Sequence, residues 1–275
     1  MEYLLSFTGK GSEDIILYHL LKNVNVPIRY VDVGANDPVM GSVTKLFYER
    51  GASGINIEPQ QEHIEHLKKD RPRDINLAVG VSDKAGELTL YGKGGFATFN
   101  QDSKVANMKM THTVPVVTLS DIFNQYTQKD EDIHFLKIDV EGWERQCLEG
   151  MDFIHFRPWI LCIEYIVPNT DIPCYEDWEE LVLGQNYTLL GASGLNRYYA
   201  ATERLHEIQE FLQPTELGTI YRIVSFIDCQ GSLYDKYLFC KSIIYKTRAK
   251  TSILLDKTAL GKKIKSSLKS LLRLG

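Results

Sequence analysis

Short apolar runs recur along the chain, separated by segments with helical spacing, and this alternation constrains the fold more than any other feature. The runs are IRYVDVG (28–34), SGINIEP (53–59), INLAVGVS (75–82), IHFLKIDVEG (133–142) and PWILCIEYIVP (158–168). Val, Ile and Leu fall on both faces of these runs, as in parallel strands covered by helices on both sides. Parallel neighbours need crossover connections, and the intervening segments supply them. Residues 12–23 place Ile15, Ile16, Leu20 and Leu21 on one face behind Ser12 as N-cap, and 43–51 reads as a helix closed by Gly51. Further helices are expected at QQEHIEHLKKD, WERQCLEGMD and YEDWEELVLGQ. The pattern is that of a doubly wound α/β sheet. GELTLYGKGGFATFN reads as a hairpin or flap, and TVPVVTLSDIFNQY as an edge strand interrupted by Pro115 and then a helix N-capped by Ser120. YTLLGASGLNRYYAAT reads as an antiparallel pair.

Ligands of such sheets bind beyond the carboxyl ends of the strands. Strand one ends in Asp32, Gly34, Asn36 and Asp37, strand two in Glu58, strand three in Ser82 and Asp83, strand four in Lys137, Asp139 and Glu141, and strand five in Glu164. A diphosphate-binding turn wants G-x-G-x-x-G. Here the turn is GANDPVMG (34–41), without the second and third glycines, and Asp37 repels phosphate where a helix start would welcome it. Glu58 suits a ribose diol, since two carboxylate oxygens accept from two hydroxyls. These features favour a nucleoside cofactor without phosphates, S-adenosylmethionine, whose sulfonium suits a cleft rich in carboxylates. The plainer alternative is that Asp32, Asn36 and Asp37 cap a turn.

In FLKIDVEGWE, side chains alternate, so Lys137, Asp139 and Glu141 leave one side of the strand. A lysine inside a strand needs a carboxylate partner, from Asp32 or Asp139. Lys137 is therefore expected to be structural, and Asp139, at the tip, to take a proton from an attacking hydroxyl. Glu164, one strand over, is the second choice as base, and Glu141 completes the candidate catalytic set. Glu144 reads as an acid complementing a helix dipole. A divalent metal ranks below the base role because no histidine accompanies these acids, so no metal ligand is assigned. His112 in the flap is the one histidine kept as a substrate contact. Trp143, Tyr165, Tyr198 and Tyr199 are set down as packing residues before sugar-stacking ones.

The segments YVDVGANDPVMGSVTKLFYERGASGINIEP, LAVGVSD, VVTLSDIF, FLKIDVEGWERQCLEGMDF, PWILCIEYIVPNT and GLNRYYA resemble the FkbM-type S-adenosylmethionine-dependent methyltransferases, over about residues 11–201. The resemblance implies a class I Rossmann-like methyltransferase fold, a mostly parallel seven-stranded sheet with an antiparallel strand. It implies O-methylation, in a branch associated with bacterial surface sugars. Carried over, Asp32, Gly34, Ala35 and Asn36 belong to the cofactor side, with Gly34, Ala35 and Asn36 at the methionine part. Glu58 meets the ribose, Val81, Ser82 and Asp83 the adenine, and Asp139 and Glu141 the region of the methyl. Glu13 and Asp14 are left outside the site, and Thr98 is kept as the polar contact of the flap.

Residues 202–275 lie outside the resemblance and are set apart as a C-terminal extension to a 1–201 domain. The charge is divided the same way. The chain has a formal net charge of −5, yet residues 241–275 hold ten Lys/Arg against one acid. An acidic body excludes non-specific nucleic-acid binding. LDKTALGKKIKSSLKSLLRLG spaces Leu260, Ile264, Leu268, Leu271 and Leu272 on one helical face among lysines. Residues 257–275 thus suit either a membrane surface or docking on protein, including a second copy. Five separated cysteines, the lack of a basic leader before an apolar core, and the lack of a long apolar stretch lead to the expectation of a reducing, cytoplasmic setting, with the tail at the inner face of the membrane. The expected acceptor is a small molecule or glycan. A nicotinamide-dependent oxidoreductase and a non-catalytic glycan-binding protein are the competing readings.

Overall fold

A computed structural model describes residues 2–9, 12–103, 111–128 and 131–227. The basic segment 257–275, Cys229 and Cys240 lie outside the described residues. In chain order the strands and helices are β1 (Glu2–Ser6), α1 (Glu13–Leu20), β2 (Arg29–Val33), α2 (Lys45–Glu49), β3 (Ser53–Ile57), α3 (Gln61–Asp70) and β4 (Ile75–Leu77). There follow β5 (Gly80–Val81), β6 (Gly86–Tyr91), β7 (Thr111–Val117), α4 (Leu119–Tyr126), β8 (Phe135–Ile138), α5 (Glu144–Glu149) and β9 (Ile160–Glu164). The last are α6 (Glu179–Gly184), β10 (Tyr187–Ser193), β11 (Asn196–Ala201), α7 (Pro214–Ile220) and β12 (Tyr221–Ser225).

The main sheet has seven strands in the order β10-β11-β9-β8-β2-β3-β4. The ladders β9-β8-β2-β3-β4 are all parallel, and β11 runs antiparallel to both its neighbours. This is the α/β, mostly parallel sheet with one antiparallel strand that the sequence leads one to expect. Alternation along the strands builds two cores. Tyr30, Phe135, Cys162 and Tyr198 face α1 and α2, where Ile15, Ile16, Leu20, Leu46 and Phe47 cover them. Val31, Val33, Leu136, Ile138 and Ile163 face the other way, onto Ile122 and Phe123 of α4, Leu148 of α5 and Val182 of α6. The chain winds outward from β2 to β4, then returns to place β8 on the other side of β2. The sheet therefore has its switch point between β2 and β8, where the helices on either side leave a crevice.

Three expectations change on folding. The run 75–82 is not one strand: β4 stays in the main sheet, while β5 leaves it to pair with β7 in a small sheet of order β5-β7-β6. β5 begins at Gly80, where the Phe99 ring packs so closely that a Cβ would overlap it. β7 is accordingly central and not an edge, and Pro115 is accommodated because the β5 ladder begins only at Val116. The N-cap of α4 is Thr118, not Ser120. Thr118 Oγ1 accepts from the Asp121 N–H at 3.0 Å, and the Asp121 carboxylate accepts from the Thr118 N–H at 3.2 Å. Ser120 Oγ instead donates to the Gly150 carbonyl.

The two ends of the described chain also meet. β1 and β12 pair in parallel from Glu2↔Tyr221 to Ser6↔Ser225. Residues 202–227, set apart by sequence as the start of an extension, add Ile208, Leu217, Tyr221 and Phe226 to the α1-side core. Asp14 fastens β1 to α1, since its carboxylate accepts from Ser6 Oγ, the Phe7 N–H and Thr8 Oγ1. Among the described residues no helix is long and apolar enough to cross a membrane. Tyr221→Ala removes a fully buried ring, whose hydroxyl lies 2.9 Å from His19 Nδ1. Urea unfolding should show a loss of about 3–5 kcal/mol. A loss under about 1 kcal/mol would show that 202–227 is not part of this core.

Candidate functional site

The crevice is formed by the turns after β2, β3, β8 and β9 and is overhung by the Gly94–Phe96 turn that follows β6. Its floor depends on Gly34. Gly34 has φ +81°, and a Cβ there would land on the Asp139 backbone oxygen. The N–H groups of Gly34 and Ala35 both donate to the Ile57 carbonyl, at 3.0 and 3.1 Å. The first turn is thus pressed between the ends of β3 and β8, and only glycine fits. Asp37 is not at a helix start, because α2 begins only at Lys45. Its carboxylate accepts from the N–H groups of Val39 and Met40 at 2.8 and 2.7 Å. The amides that a phosphate would need are therefore used by the chain's own anion.

Behind this turn stands a buried charge network that the sequence hides. Arg71, at the end of α3, is fully buried. It donates to the Pro38 carbonyl, to Ser42 Oγ and to Thr44 Oγ1. Thr44 Oγ1 in turn donates to Asp32 Oδ2 at 3.0 Å. Lys137 Nζ then lies 3.6 Å from Asp32 Oδ1 and 3.1 Å from Asp139 Oδ2. Burial would lower the lysine pKa, but the facing Asp139 and Asp32 carboxylates outweigh it and raise it, so the ammonium stays charged.

Glu58, the last β3-side residue of the crevice, is 3 % exposed. Its Oε2 accepts from the Asn36 N–H at 3.1 Å, and its Oε1 from the Gln60 N–H at 2.8 Å. Burial raises its pKa against these donors. Gln60, which sequence reasoning missed, ties this acid to the flap: Nε2 donates to the Gly94 carbonyl and Oε1 accepts from the Gly94 N–H at 2.7 Å. A glutamine after Glu-Pro carries no signal of its own; it acquires the role because the flap folds over it.

Asp139, Glu141 and Glu164 meet at the tips of β8 and β9, with oxygens within 4.8 Å of one another. Burial first, then the charges of Asp139 and Glu144, push Glu164 far above the usual carboxylate range. The same causes, burial leading, hold Glu141 at about 8. Glu141 has φ +58°, an unusual value for a non-glycine residue, and the bend turns its side chain into the crevice. Glu144 is spent on the loop, where Oε1 accepts from the N–H groups of Val140 and Gly142.

Of the expected residues, Asp32, Gly34, Ala35, Asn36, Glu58, Val81, Asp139, Glu141 and Glu164 all line this crevice. Ser82 and Asp83 do not. Ser82 Oγ is buried between Asp83 and the Trp143 indole N–H, and Asp83 is turned to solvent. Thr98 donates to the Glu141 carbonyl at 2.8 Å and so fastens the flap to the β8 loop. His112 is exposed on β7, and Tyr198 and Tyr199 are fully buried packing residues. Glu13, left out by sequence, does not line the crevice; burial above all raises its pKa, with the charges of Lys137 and Asp139 as lesser and opposed influences.

Residues 32–213 match the methyltransferase FkbM domain. The chain belongs to this family. No curated protein matches it. A solved methyltransferase FkbM from Methylobacillus flagellatus KT is 18% identical, with 67% of this chain aligned to 47% of that one, at a TM-score of 0.42. The precorrin-6y C5,15-methyltransferase of Geobacter metallireducens GS-15 is 11% identical over 70% and 88% of the two chains, at 0.37. Trm1 of Pyrococcus horikoshii, solved with S-adenosyl-L-methionine, is 13% identical over 72% and 56%, at 0.31. This FkbM chain thus spans about half the length of the first of these structures.

The donor set fits the cofactor that the family implies. Glu58 lines the crevice with a buried carboxylate, and two carboxylates, Asp32 and Asp139, flank Lys137, a set of acids suited to hydroxyls and to a sulfonium. Gly34→Ala should be disproportionately harmful, because its Cβ meets backbone and not a movable side chain. Unfolding should show a loss of about 3 kcal/mol or more, and calorimetry a loss of S-adenosylhomocysteine binding. Unchanged binding would show that the turn is not pressed against Asp139.

Proposed function

We propose that this FkbM chain is an O-methyltransferase that carries a methyl group from S-adenosylmethionine to a hydroxyl, with a sugar of a bacterial surface glycan or its precursor as acceptor. The observation that carries the reading is the convergence of Asp139, Glu141 and Glu164 at the tips of β8 and β9, beside the Gly34 turn and two strands from Glu58. When bound, the cofactor supplies a methyl already activated by its sulfonium. The chain then has to orient the acceptor oxygen, exclude water and receive one proton. Glu58 fixes the nucleoside end through the hydroxyls. Lys137 holds Asp139 in place at 3.1 Å, and Asp139 is the group that accepts the proton of the acceptor hydroxyl. Glu164 stands next to it as the second acid. The Gly94–Phe96 turn, held down by Gln60 and Thr98, covers the crevice from solvent.

The Asp37 turn weighs against a dinucleotide oxidoreductase, since its amides are already bonded. A non-catalytic binding protein would keep the fold without needing three acids at two adjacent tips. The acidic body gives nucleic acid no attraction, and the expected membrane contact of 257–275 lies outside the described residues. Asp139→Asn should leave S-adenosylhomocysteine binding in place and slow methyl transfer by about 100-fold or more. Mass spectrometry of the host's surface glycans, with the wild type and with the variant, reads this directly. A variant that methylates at the wild-type rate removes Asp139 as base, and glycans unchanged by the wild-type protein remove the glycan acceptor.

A further inference from the structure

The carboxylates at the tips of β8 and β9 have a second property. Oxygens bound to one hard cation sit at roughly 2.0–2.6 Å from it, so any two are at most about 5 Å apart. The oxygens of Asp139, Glu141 and Glu164 lie within 4.8 Å of one another, inside that limit, and all three residues line the crevice. In sequence the three are scattered acids without a histidine, and a metal ranks low. The fold removes the scattering.

Acids alone do not distinguish a cation site from a solvated patch. A separate residue does. Asn196 opens β11 directly opposite Glu164 in the antiparallel register, so both side chains leave the same face. It is 4 % exposed, and its Oδ1 has no hydrogen-bond partner. Its Nδ2 donates to Glu13 Oε1 at 3.4 Å. Glu164 Oε2, also buried, is unpartnered as well. A buried oxygen without a donor is costly and calls for an explanation. Here the two belong to residues paired across the β9–β11 ladder, and one of them, Glu164, is a member of the carboxylate cluster. Both are hard oxygen ligands of the kind magnesium and manganese take. The neighbouring ammonium, Lys137, is already engaged with Asp32 and Asp139 Oδ2.

We infer that the tips of β8 and β9 hold a divalent, oxygen-preferring cation through Asp139, Glu141 and Glu164, with the Asn196 carboxamide oxygen beside them. The consequence for catalysis rests on the methyl-transfer reading: a cation held there would supply Lewis-acid stabilisation to the acceptor oxygen. The binding itself does not depend on that reading.

The test is a titration of Mn²⁺ into the full chain without cofactor, followed by electron paramagnetic resonance, with S-adenosylhomocysteine calorimetry on the same sample. One Mn²⁺ should bind per chain. Glu141→Gln and Glu164→Gln should each weaken it by at least about tenfold, the lower end of what loss of even an outer-shell partner does. Glu141 lies on a half-buried loop, so its variant folds, and thermal melting checks Glu164→Gln. Absent Mn²⁺ binding, or binding that neither substitution weakens, overturns the cation site. If S-adenosylhomocysteine still binds in that sample, the methyl-transfer reading stands without it. If Mn²⁺ binds and S-adenosylhomocysteine does not, the cation site stands and the methyl-transfer reading falls.

Discussion

A lysine buried in the middle of a parallel sheet organises this protein. Lys137 is almost wholly shielded from water, and removing a partner from a buried ion pair costs about 3–5 kcal/mol. Two carboxylates therefore have to stay beside it. Asp32 on the neighbouring strand is one, and it is fixed from behind by Thr44 and the buried Arg71. Asp139 at the end of the same strand is the other. One end of this chain of charges holds the turn after β2, and the other end presents an acid to the crevice. The Gly34 turn and the acid at the tip of β8 are thus parts of one electrostatic unit.

Close backbone approach is the second constraint. Gly34 lets the first turn touch the β8 loop, and the bend at Glu141 and Gly142 lets that loop receive Thr98 from the flap. Gln60 repeats the arrangement on the β3 side, where it joins the flap to Glu58. The flap is therefore anchored to both carboxylate-bearing turns of the crevice. Glu144 holds the β8 loop by accepting from the Val140 and Gly142 amides, while Asp139, Glu141 and Glu164 line the crevice.

Much of this was legible beforehand, and for identifiable reasons. Parallel strands buried on both faces announce themselves as apolar runs, and their carboxyl ends mark the ligand side, so Asp32, Gly34, Glu58, Asp139 and Glu164 could be named from one sequence. Local rules failed where a competitor lay nearby. Thr118 and Ser120 are both capping residues, and only the fold gives Ser120 the Gly150 carbonyl as a partner. The run 75–82 looks continuous because the partner that draws β5 away, β7, lies more than thirty residues on. Ser82 and Asp83 sit at a strand end in sequence, but the strand has by then left the main sheet.

The sequence by itself determined the alternation of strand and helix, the identity of the strand-tip acids and the exclusion of a diphosphate turn. Each of these rests on residues within about a dozen positions of one another. The tertiary structure alone decided that Arg71 is buried, that β12 closes onto β1, that Gln60 belongs to the crevice and that Asn196 stands opposite Glu164. These depend on strand order and register between segments far apart in the chain. No local pattern encodes such pairings, because the energy that selects them comes from burying two distant surfaces against each other.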